Sequence, residues 1–294
     1  MPELPEVETV RRLLAPVLTG RRFERVTIVD ARLVRPLEPA VVAAELEGER
    51  VTAVDRRGKY LIFRFESGRS LLIHLRMTGS LRHAPAGMTG GDTHVRAVVR
   101  LDDGSDVAYR DVRRFGTWLL ADEHELAPYL GQRLGGEPLE RAFRAKRLGE
   151  LLVGRRAPIK AALLDQRTIA GMGNIYADEA LWRAGIHPER RAGDLTTDEI
   201  TALTGAIKAA LRAGIRRQGA SLRDYAQPDG RRGRMQESFK VYGRAEEPCE
   251  RCGTLIEKTR VAGRGTWFCP RCQPRYATRR SSSRPSRSRR QSSV

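Results

Sequence analysis

The sequence predicts an α+β protein of several domains: an N-terminal antiparallel β-sandwich or barrel with flanking helices, then a helical region that ends in a four-cysteine β-hairpin. Apolar residues recur at helical spacing at the start of the chain, alternate with polar residues as far as about residue 121, and return to helical spacing from residue 139. All 4 cysteines lie near the end of the helical part. The length of 294 residues fits about two domains, and an apolar fraction of 40% is enough to fill their cores.

The first helix is predicted over residues 5–18, where one face is apolar and Gly20 follows as a stop signal. A period of two then predicts antiparallel strands, because turn sequences such as residues 102–104 separate the alternating segments. A short helix is expected at residues 41–47. The predicted strands are residues 23–29, 60–65, 71–75, 95–101 and 107–109.

Proline and glycine cluster at residues 127–137 and predict a domain boundary. The segment 219–242 is polar and rich in turn residues, which predicts a mobile loop. The predicted helices of the second half are residues 139–152, 158–168, 176–184 and 197–214. We expect domains at residues 2–130, 131–240 and 241–274, and a disordered basic tail at residues 275–294.

The charge indicates a polyanionic partner. The formal net charge is +18, and residues 273–294 carry seven arginines and no acidic residue. The rest of the chain is still basic, so nucleic acid is favoured over a membrane surface as the partner. No apolar run reaches membrane-spanning length and no signal-peptide pattern opens the chain, so we expect a cytosolic protein.

The cysteines predict a zinc site. Cys249-x2-Cys252 and Cys269-x2-Cys272 are sixteen residues apart, which is the spacing of two knuckles that close a tetrahedral site on a β-hairpin. Free or paired thiols are the alternative, but disulfides are rare in a reducing cytosol. Four protein ligands leave no open position on zinc, so its role is expected to be structural. Between the knuckles, Arg264 lies at a glycine-flanked hairpin tip that can reach a phosphate.

The first six residues can place a reactive secondary amine at the start of the folded protein. If Met1 is removed, Pro2 becomes the N-terminus, and an α-amine retains a useful neutral fraction at physiological pH. Attack of this amine on a masked aldehyde gives an iminium, which acts as an electron sink. Glu3, one residue away, can move the protons that such an attack requires. The alternative is an ordinary helix start, in which Glu6 complements the helix dipole.

Six strings, in order along the chain, closely resemble formamidopyrimidine-DNA glycosylases, and the resemblance spans residues 2–273. It implies a helix-two-turn-helix in the helical region. It also implies a bifunctional base-excision enzyme that removes oxidised purines, 8-oxoguanine and formamidopyrimidines, from duplex DNA and then cuts the strand by β,δ-elimination. The strings are residues 2–8, 57–61, 74–79, 111–116, 171–177 and the four-cysteine hairpin.

The resemblance also implies catalytic roles. Pro2 attacks the sugar C1′ and forms a Schiff base, while Glu3 handles protons during base loss and opening of the sugar ring. Lys59 acts as the β-elimination acid or as an electrostatic partner, although a solvated strand-edge lysine is the plainer interpretation of its sequence context. Arg264 assists δ-elimination and grips phosphates that flank the lesion. Glu6 supports the start of the helix.

Three residues match those that the family inserts into the duplex when a nucleotide is everted: Met77, Arg113 and Phe115. The apolar side chains offset lost stacking, and Arg113 can hydrogen-bond the orphaned partner base. On pattern alone, Met77 and Phe115 would more often be core residues.

Three further residues are expected to contact the DNA backbone by resemblance: His94, Arg156 and Asn174. Arg155 is an alternative to its neighbour Arg156. Such contacts position the duplex without reading its sequence.

Two other functions stay open. Endonuclease VIII is a sister enzyme that prefers oxidised pyrimidines; its opening usually has Gly where Leu4 stands here, and the base-recognition loop near residues 219–234 departs most from the purine-enzyme pattern. A catalytically inactive zinc-ribbon DNA-binding protein is disfavoured because the catalytic residues are intact.

The basic tail either adds salt-sensitive binding of DNA or is inert. We expect damaged double-stranded DNA as the partner and no obligate protein partner.

Overall fold

The computed structural model describes residues 1–87, 91–222 and 225–275. Short 3₁₀ helices also occur at Ala31–Leu33, Ala192–Asp194 and Met235–Ser238. In chain order, the longer elements are α1 (Leu4–Leu18), β1 (Phe23–Ile28), α2 (Pro39–Leu46), β2 (Val51–Arg57), β3 (Tyr60–Phe65), β4 (Ser70–His74), β5 (Ser80–Pro85), β6 (Val95–Leu101), β7 (Ser105–Arg110), β8 (Thr117–Ala121), α3 (Glu123–Gly131), α4 (Ala145–Leu152), α5 (Ile159–Leu164), α6 (Asn174–Ala184), α7 (Thr197–Arg216), β9 (Glu257–Val261) and β10 (Arg264–Phe268).

Two four-stranded antiparallel sheets form the N-terminal part. One has the order β2-β3-β4-β8 and the other the order β1-β6-β7-β5. Alternate side chains of both sheets point into a common apolar core, which includes Phe23, Phe65, Tyr109 and Trp118. The predicted antiparallel sandwich is confirmed.

The sequence analysis missed β2, β5 and β8. The alternation in β2 breaks down at Asp55-Arg56-Arg57, and β5 ends in a proline. β8 is a short run, Thr-Trp-Leu-Leu-Ala, without a polar alternation. These segments become strands because they pair along their length with β3, β7 and β4, respectively. Tertiary pairing overrides a weak local pattern here.

Helix α1 joins the two halves of the molecule. Its first turn is closed by a capping box in which the Glu3 and Glu6 side chains each bond the other residue's backbone N–H. Val7, Val10 and later apolar residues of α1 pack into the sandwich core. Leu4 belongs instead to the core of the helical domain. The start of the chain is therefore held at the junction of the two domains.

Helix α3 covers the outer face of the β2-β3-β4-β8 sheet. Leu126 and Leu130 of α3 pack with Ile62 and Leu72 of that sheet. The last turn of α3 thus lies inside the proline- and glycine-rich segment 127–137, where no helix was predicted. The domain limits themselves stay a prediction.

Helices α4 to α7 form the helical domain. Two predicted helices were too long: the one over residues 139–152 begins only at Ala145, and the one over residues 158–168 ends at Leu164. Residues 138–144 instead form turns that bury Phe143, and the Asp165 carbonyl accepts turn hydrogen bonds from Thr168 and Ile169. In both cases, turns that pack on the core have apolar residues at the spacing that is typical of a helix.

In its described residues, the segment 219–242 lies against the body of the protein; its predicted mobility stays a prediction. Tyr225 is buried in the sandwich core, and its hydroxyl donates to the Glu6 carbonyl at 3.4 Å. The His83 N–H of β5 donates to the Pro228 carbonyl at 3.0 Å. The Ser221 hydroxyl bonds the Tyr225 carbonyl at 2.8 Å. The polar composition of the segment gives no indication of these few contacts.

Strands β9 and β10 form the predicted cysteine hairpin. It packs on α6 through an apolar cluster that includes Trp182, Val241 and Ile256. The predicted disorder of the basic tail concerns residues that lie, except for Arg275, outside the described part of the chain. Among the described residues, no helix has both the length and the apolar character required to cross a membrane.

Candidate active site

The first turn of α1 places the Glu3 carboxylate against the N-terminus of α6. Glu3 Oε1 accepts a hydrogen bond from the Ile175 N–H at 2.9 Å, and Oε2 accepts one from the Tyr176 N–H at 3.4 Å. Gly173, the N-cap residue of α6, makes no side-chain cap. A carboxylate from a remote part of the chain therefore satisfies these free donors of the helix.

Two glycines make room for this contact. The Leu4 N–H donates to the Gly171 carbonyl at 3.0 Å. Gly171 has φ +84°, and a Cβ there would lie 2.7 Å from Leu4 Cβ. A Cβ at Gly173 would lie 2.6 Å from Glu3 Cγ and would overlap the carboxyl group. The close approach of α1 therefore requires glycine at both positions.

Glu6 is a buried carboxyl group with a raised proton affinity. It accepts hydrogen bonds from the Tyr176 hydroxyl at 2.7 Å and from the N–H groups of Ala220 and Glu3, both at 2.8 Å. Burial, together with the charge of Glu3, raises the pKa of Glu6 to about 7 against the opposing effect of these hydrogen bonds. Glu6 joins α1, α6 and the segment after α7, and can carry a proton near neutral pH.

Pro2 is buried and lines the second of two neighbouring cavities, while Met1 lines both. As long as Met1 is attached, the Pro2 nitrogen is an amide. Removal of Met1 would free a secondary amine beside the second cavity. The first cavity, of about 380 Å³, is lined by Glu3, Lys59, His74, Asn174 and Arg264 among others. The second, of about 690 Å³, is lined by Pro2, Met77, Arg113, Leu222 and Tyr225 among others.

The turn between β2 and β3 carries Lys59 into the first cavity. Gly58 has φ +58°, and its N–H donates to the Glu137 carboxylate. Lys59 is only 5% exposed, so it is not the solvated strand-edge lysine that its sequence context suggested. Burial lowers the pKa of Lys59, while the carboxylates of Glu3 and Glu6 act in the opposite direction.

The cysteine hairpin carries Arg264 into the same cavity. Asn174, at the start of α6, donates from Nδ2 to the Gly265 carbonyl at 3.0 Å. The buried Lys160 donates to the same carbonyl at 2.9 Å and forms an ion pair with Asp178 at 2.7 Å. The strand that bears Arg264 is therefore fixed to α5 and α6 next to the cavity.

The four cysteines fit one zinc ion. Their Sγ atoms all lie within 4.8 Å of one another, with 3.9 Å between Cys249 and Cys272 and 3.4 Å between Cys252 and Cys269. Zn–S bonds of about 2.3 Å in a tetrahedron place sulfur atoms roughly 3.8 Å apart. Trp182 Nε1 donates to Cys249 Sγ at 3.4 Å, as expected for a group that orients a metal-bound thiolate.

Met77, Arg113 and Phe115 lie on two neighbouring loops beside the cavities. Met77 is half-buried and lines both cavities. Phe115 is 52% exposed, so it is not a core residue. The Arg113 guanidinium carbon lies 4.8 Å from the centre of the Phe115 ring. An exposed aromatic ring stacked by a cation on a surface loop is available for contact with a ligand.

His94 and Arg156 line neither of these cavities. His94 precedes β6, where its N–H is bonded to Asp92 Oδ1 at 2.9 Å. Arg156 is exposed between α4 and α5, whereas Arg155 is half-buried and paired with Asp165 at 3.5 Å. The position of Arg156 favours it over Arg155 as a phosphate contact, and both expected DNA contacts stay predictions.

Sequence reasoning missed His74 as a cavity residue. Its Nδ1 accepts the Arg76 N–H at 3.0 Å, and its ring packs edge-on against Tyr60. Burial, with the nearby charges of Arg76 and Lys59, lowers the pKa of His74 to about 3, so the imidazole is neutral at pH 7. Its place in the string 74–79, three residues before Met77, was the signal that could have found it.

Comparisons with known proteins agree with this geometry. Residues 1–118 match the formamidopyrimidine-DNA glycosylase N-terminal domain, residues 134–226 its H2TH domain, and residues 246–275 the zinc finger found in FPG and IleRS. A formamidopyrimidine-DNA glycosylase of Moorella thermoacetica is 45% identical over 254 residues, which cover 86% of this chain and 92% of that protein. The chain belongs to the formamidopyrimidine-DNA glycosylase family. The corresponding protein of Symbiobacterium thermophilum is 47% identical over 275 residues, covering 93% of this chain and 90% of that one.

Solved structures extend the likeness to three dimensions. A Lactococcus lactis FPG mutant in complex with Fapy-dG containing DNA matches with a TM-score of 0.88 at 39% identity, covering 93% of this chain and 100% of that chain. The L. lactis Fpg in complex with abasic-site DNA matches with a TM-score of 0.87 at 39% identity, covering 92% and 99%. Membership of this family confirms three predictions. The protein is a DNA glycosylase, it has the predicted architecture, and it has a single structural zinc site.

Replacing Gly173 with alanine should displace the Glu3 carboxylate from α6, because the added Cβ overlaps it. We expect single-turnover base excision from oxidised duplex DNA to fall by roughly 100-fold, equivalent to about 2.7 kcal/mol of activation free energy. Gly205→Ala is the matched control, since Gly205 lies in α7 with open space around its Cα. It should keep full activity and gain up to about 1 kcal/mol of stability. Equal activities of the two variants would contradict this account of Gly173.

Glu6 should make stability depend on pH. Its folded-state pKa of about 7 lies above the ordinary value of 4.5, so its protonated form stabilises the fold below pH 4.5 and this contribution is lost as the pH rises through about 7. Between these pH values, the free energy of unfolding of the wild type should fall by about 3 kcal/mol relative to Glu6→Gln. Urea unfolding at a series of pH values measures this.

Glu8→Gln is the control for this titration. Nearby arginines, mainly Arg11 and Arg12, lower the pKa of Glu8 to about 2 despite its partial burial, so its contribution is lost only in acid below pH 4.5. The difference between wild type and Glu8→Gln should stay constant from pH 4.5 to 7. A Glu6→Gln curve parallel to the wild type would show that Glu6 does not titrate as stated.

Removing zinc should unfold the hairpin and abolish strand cutting while the sandwich stays folded. We expect one zinc ion per chain by elemental analysis before chelation. Trp182 and Trp267 pack beside the cysteines, whereas Trp118 lies in the sandwich core, so only part of the tryptophan emission should shift to the red. Added zinc should restore both signals. Full cutting activity in zinc-free protein would overturn the role assigned to the hairpin.

Proposed function

We propose that this protein excises oxidised purines, 8-oxoguanine and formamidopyrimidines, from duplex DNA and then cuts the strand by β,δ-elimination. The observation that carries the proposal is the contact of the Glu3 carboxylate with the N-terminus of α6: Glu3 lines the first cavity together with Lys59, and its neighbour Pro2 lines the second. Similar proteins support the substrate class, since their structures contain Fapy-dG, abasic-site or carbocyclic 8-oxo-G DNA.

Pro2 is proposed as the nucleophile. Its neutral nitrogen bonds to the sugar C1′ as the glycosidic bond breaks, and the base leaves with a proton from solvent. The Glu3 carboxylate takes the proton that the attached nitrogen still carries and gives it to the ring oxygen; the ring opens, and the nitrogen becomes an iminium that has no N–H to lose. This cation makes the C2′ hydrogen acidic, so the C3′–O bond and then the C5′–O bond can break by elimination.

Lys59 and Arg264 are proposed to act on the strand next to the sugar. Lys59 is almost fully buried in the cavity, and burial lowers its pKa, which makes its ammonium a better proton donor, as an acid in β-elimination must be. Arg264 is exposed on the strand that Asn174 holds in place. Its guanidinium suits a flanking phosphate and the negative charge that develops in δ-elimination.

A base stacked in a duplex cannot reach this amine, so the nucleotide must be everted. Met77, Arg113 and Phe115 are proposed to fill the vacated space, because they protrude from two loops beside the cavity of Pro2. Arg113 would hydrogen-bond the orphaned base. Asn174, His94 and Arg156 are proposed to contact phosphates along the same duplex.

Two alternatives are separated by simple assays. The L. lactis relative has also been solved with oxidized pyrimidine containing DNA, so an endonuclease VIII-like preference is tested by comparing 8-oxoguanine with thymine glycol duplexes. A purine enzyme should excise the first at least about tenfold faster. A binding protein without catalysis would excise neither. We further propose that the protein acts as a monomer, without an obligate protein partner, on DNA in the bacterial cytoplasm.

A tag left on the N-terminus should abolish cutting, because it keeps the Pro2 nitrogen as an amide. The experiment compares protein whose Met1 has been removed with protein that carries an uncleaved N-terminal tag. Reduction with borohydride traps the Schiff base. The tagged protein should lose both the covalent adduct and strand cutting by more than about 1,000-fold, because it lacks the nucleophile.

The same tag placed at the C-terminus is the control and should leave both activities intact. Binding of DNA that carries an abasic analogue should change by less than about fivefold in every preparation, since the phosphate contacts remain. Normal cutting by the N-terminally tagged protein would rule out Pro2 as the nucleophile.

A further inference from the structure

One buried carboxylate joins the two loops that carry the proposed inserting residues. Asp111 is only 1% exposed. Its Oδ1 accepts the hydroxyl hydrogen bond of Thr78, next to Met77, and shares the Arg113 N–H, at 3.2 Å, with Thr78 Oγ1, which accepts it at 3.0 Å. Its Oδ2 accepts the Gly116 N–H at 2.7 Å. Asp111 therefore contacts both loops at once, on both sides of the Arg113–Phe115 turn.

Tyr109 forms a second contact between the same two loops. Its ring is fully buried, and its hydroxyl packs against the backbone of both Gly79 and Gly116. A Cβ at Gly116 would lie 2.8 Å from the ring carbon that bears this hydroxyl, and a Cβ at Gly79 would lie 2.9 Å from Leu75 Cα. No side chain fits at either glycine. The loops are thus packed as closely as backbone allows.

The turn between Arg113 and Phe115 is fixed from its other side. Arg114 has φ +58°, a left-handed conformation that is strained for a non-glycine residue. Its guanidinium forms two hydrogen bonds, of 2.6 and 2.8 Å, with Asp30, which is 3% exposed. This pairing stabilises the conformation in which the side chains on either side of Arg114 stack on each other in solvent.

We propose that Asp111 is a positioning residue for nucleotide eversion: it holds the Met77 loop and the Arg113–Phe115 loop as one preformed wedge. The inference rests on the proposed function and deepens it. Loops that are already ordered lose little conformational entropy when they enter the duplex, so the free energy of their contacts goes into opening the base pair. If the loops moved independently, each would have to be ordered at the moment of insertion.

The test is Asp111→Asn, which keeps the shape of the side chain. The carboxylate accepts hydrogen bonds from three donors, whereas an amide offers one acceptor oxygen and places an NH₂ group against a donor. Thr78→Val is the second variant, because it removes the hydroxyl that donates to Asp111 and accepts the Arg113 N–H, without placing a donor in the buried site. Asp106→Asn is the matched control: Asp106 is 2% exposed in β7, the strand that ends just before Asp111, but its partners are Arg100 and the Gly87 N–H, away from the wedge.

Two substrates separate positioning from folding. In an 8-oxoguanine duplex the nucleotide must be everted, whereas a single-stranded oligonucleotide with an abasic site has no pair to open. Asp111→Asn should slow single-turnover excision from the duplex by about 10- to 100-fold and leave cutting of the single strand within about threefold of wild type. Thr78→Val should show a defect of the same kind, because it also breaks the link between Asp111 and the Met77 loop. Asp106→Asn should match the wild type on both substrates.

A 2-aminopurine placed opposite the lesion reports insertion directly, and Asp111→Asn should slow its fluorescence change in parallel with excision. Equal losses on both substrates in both variants would show a general structural role, and wild-type excision from the duplex by Asp111→Asn would show no role; either result overturns the proposal. Failure of the proposed function itself would look different, because the wild-type protein would then form no borohydride adduct on the abasic single strand.

Discussion

The site depends on one interaction, the Glu3 carboxylate at the N-terminus of α6. Because Glu3 is the third residue of the chain, fixing its side chain and the Leu4 N–H fixes the Pro2 nitrogen to within about one peptide unit. Chain termini are usually poorly ordered, yet here the first turn of α1 is packed between two domain cores. Gly173 is the structural condition for this arrangement, since any side chain there would occupy the place of the carboxylate.

Several ionisable groups around the contact between Glu3 and α6 are buried. Glu6 and Lys59 are both removed from water within reach of Glu3, and burial shifts their pKa values in opposite directions, each toward its neutral form. Such a set of buried ionisable groups suits the proton transfers that the proposed reaction requires. The zinc ion has a different role, because four cysteines fill its coordination and the hairpin it folds carries Arg264.

How much of the fold could be predicted depends on how far apart in the sequence the interacting residues lie. The apolar stripe of α1 and the cysteine spacing are local signals, and both predictions were confirmed. The strands β2, β5 and β8 were missed because their pairing partners, not their own patterns, make them strands. The contact between Glu3 and α6 joins residues 172 positions apart, and the burial of Lys59 depends on Glu137 holding the neighbouring turn. Single residues in one sequence carry no trace of such partners, so Lys59 and the inserting residues came only from the resemblance to a family, and His74 was overlooked. Pro2, Glu3 and the cysteines could be found from their own chemistry.

The most direct test of the account is to locate the covalent bond. Wild-type protein is reduced with borohydride on abasic-site DNA, digested with nuclease and trypsin, and its peptides are weighed and fragmented by mass spectrometry. The account predicts the reduced deoxyribose remnant on the N-terminal peptide that begins at Pro2, on its α-nitrogen. A remnant on Lys59 or on any other internal lysine, with the Pro2 peptide unmodified, would contradict it.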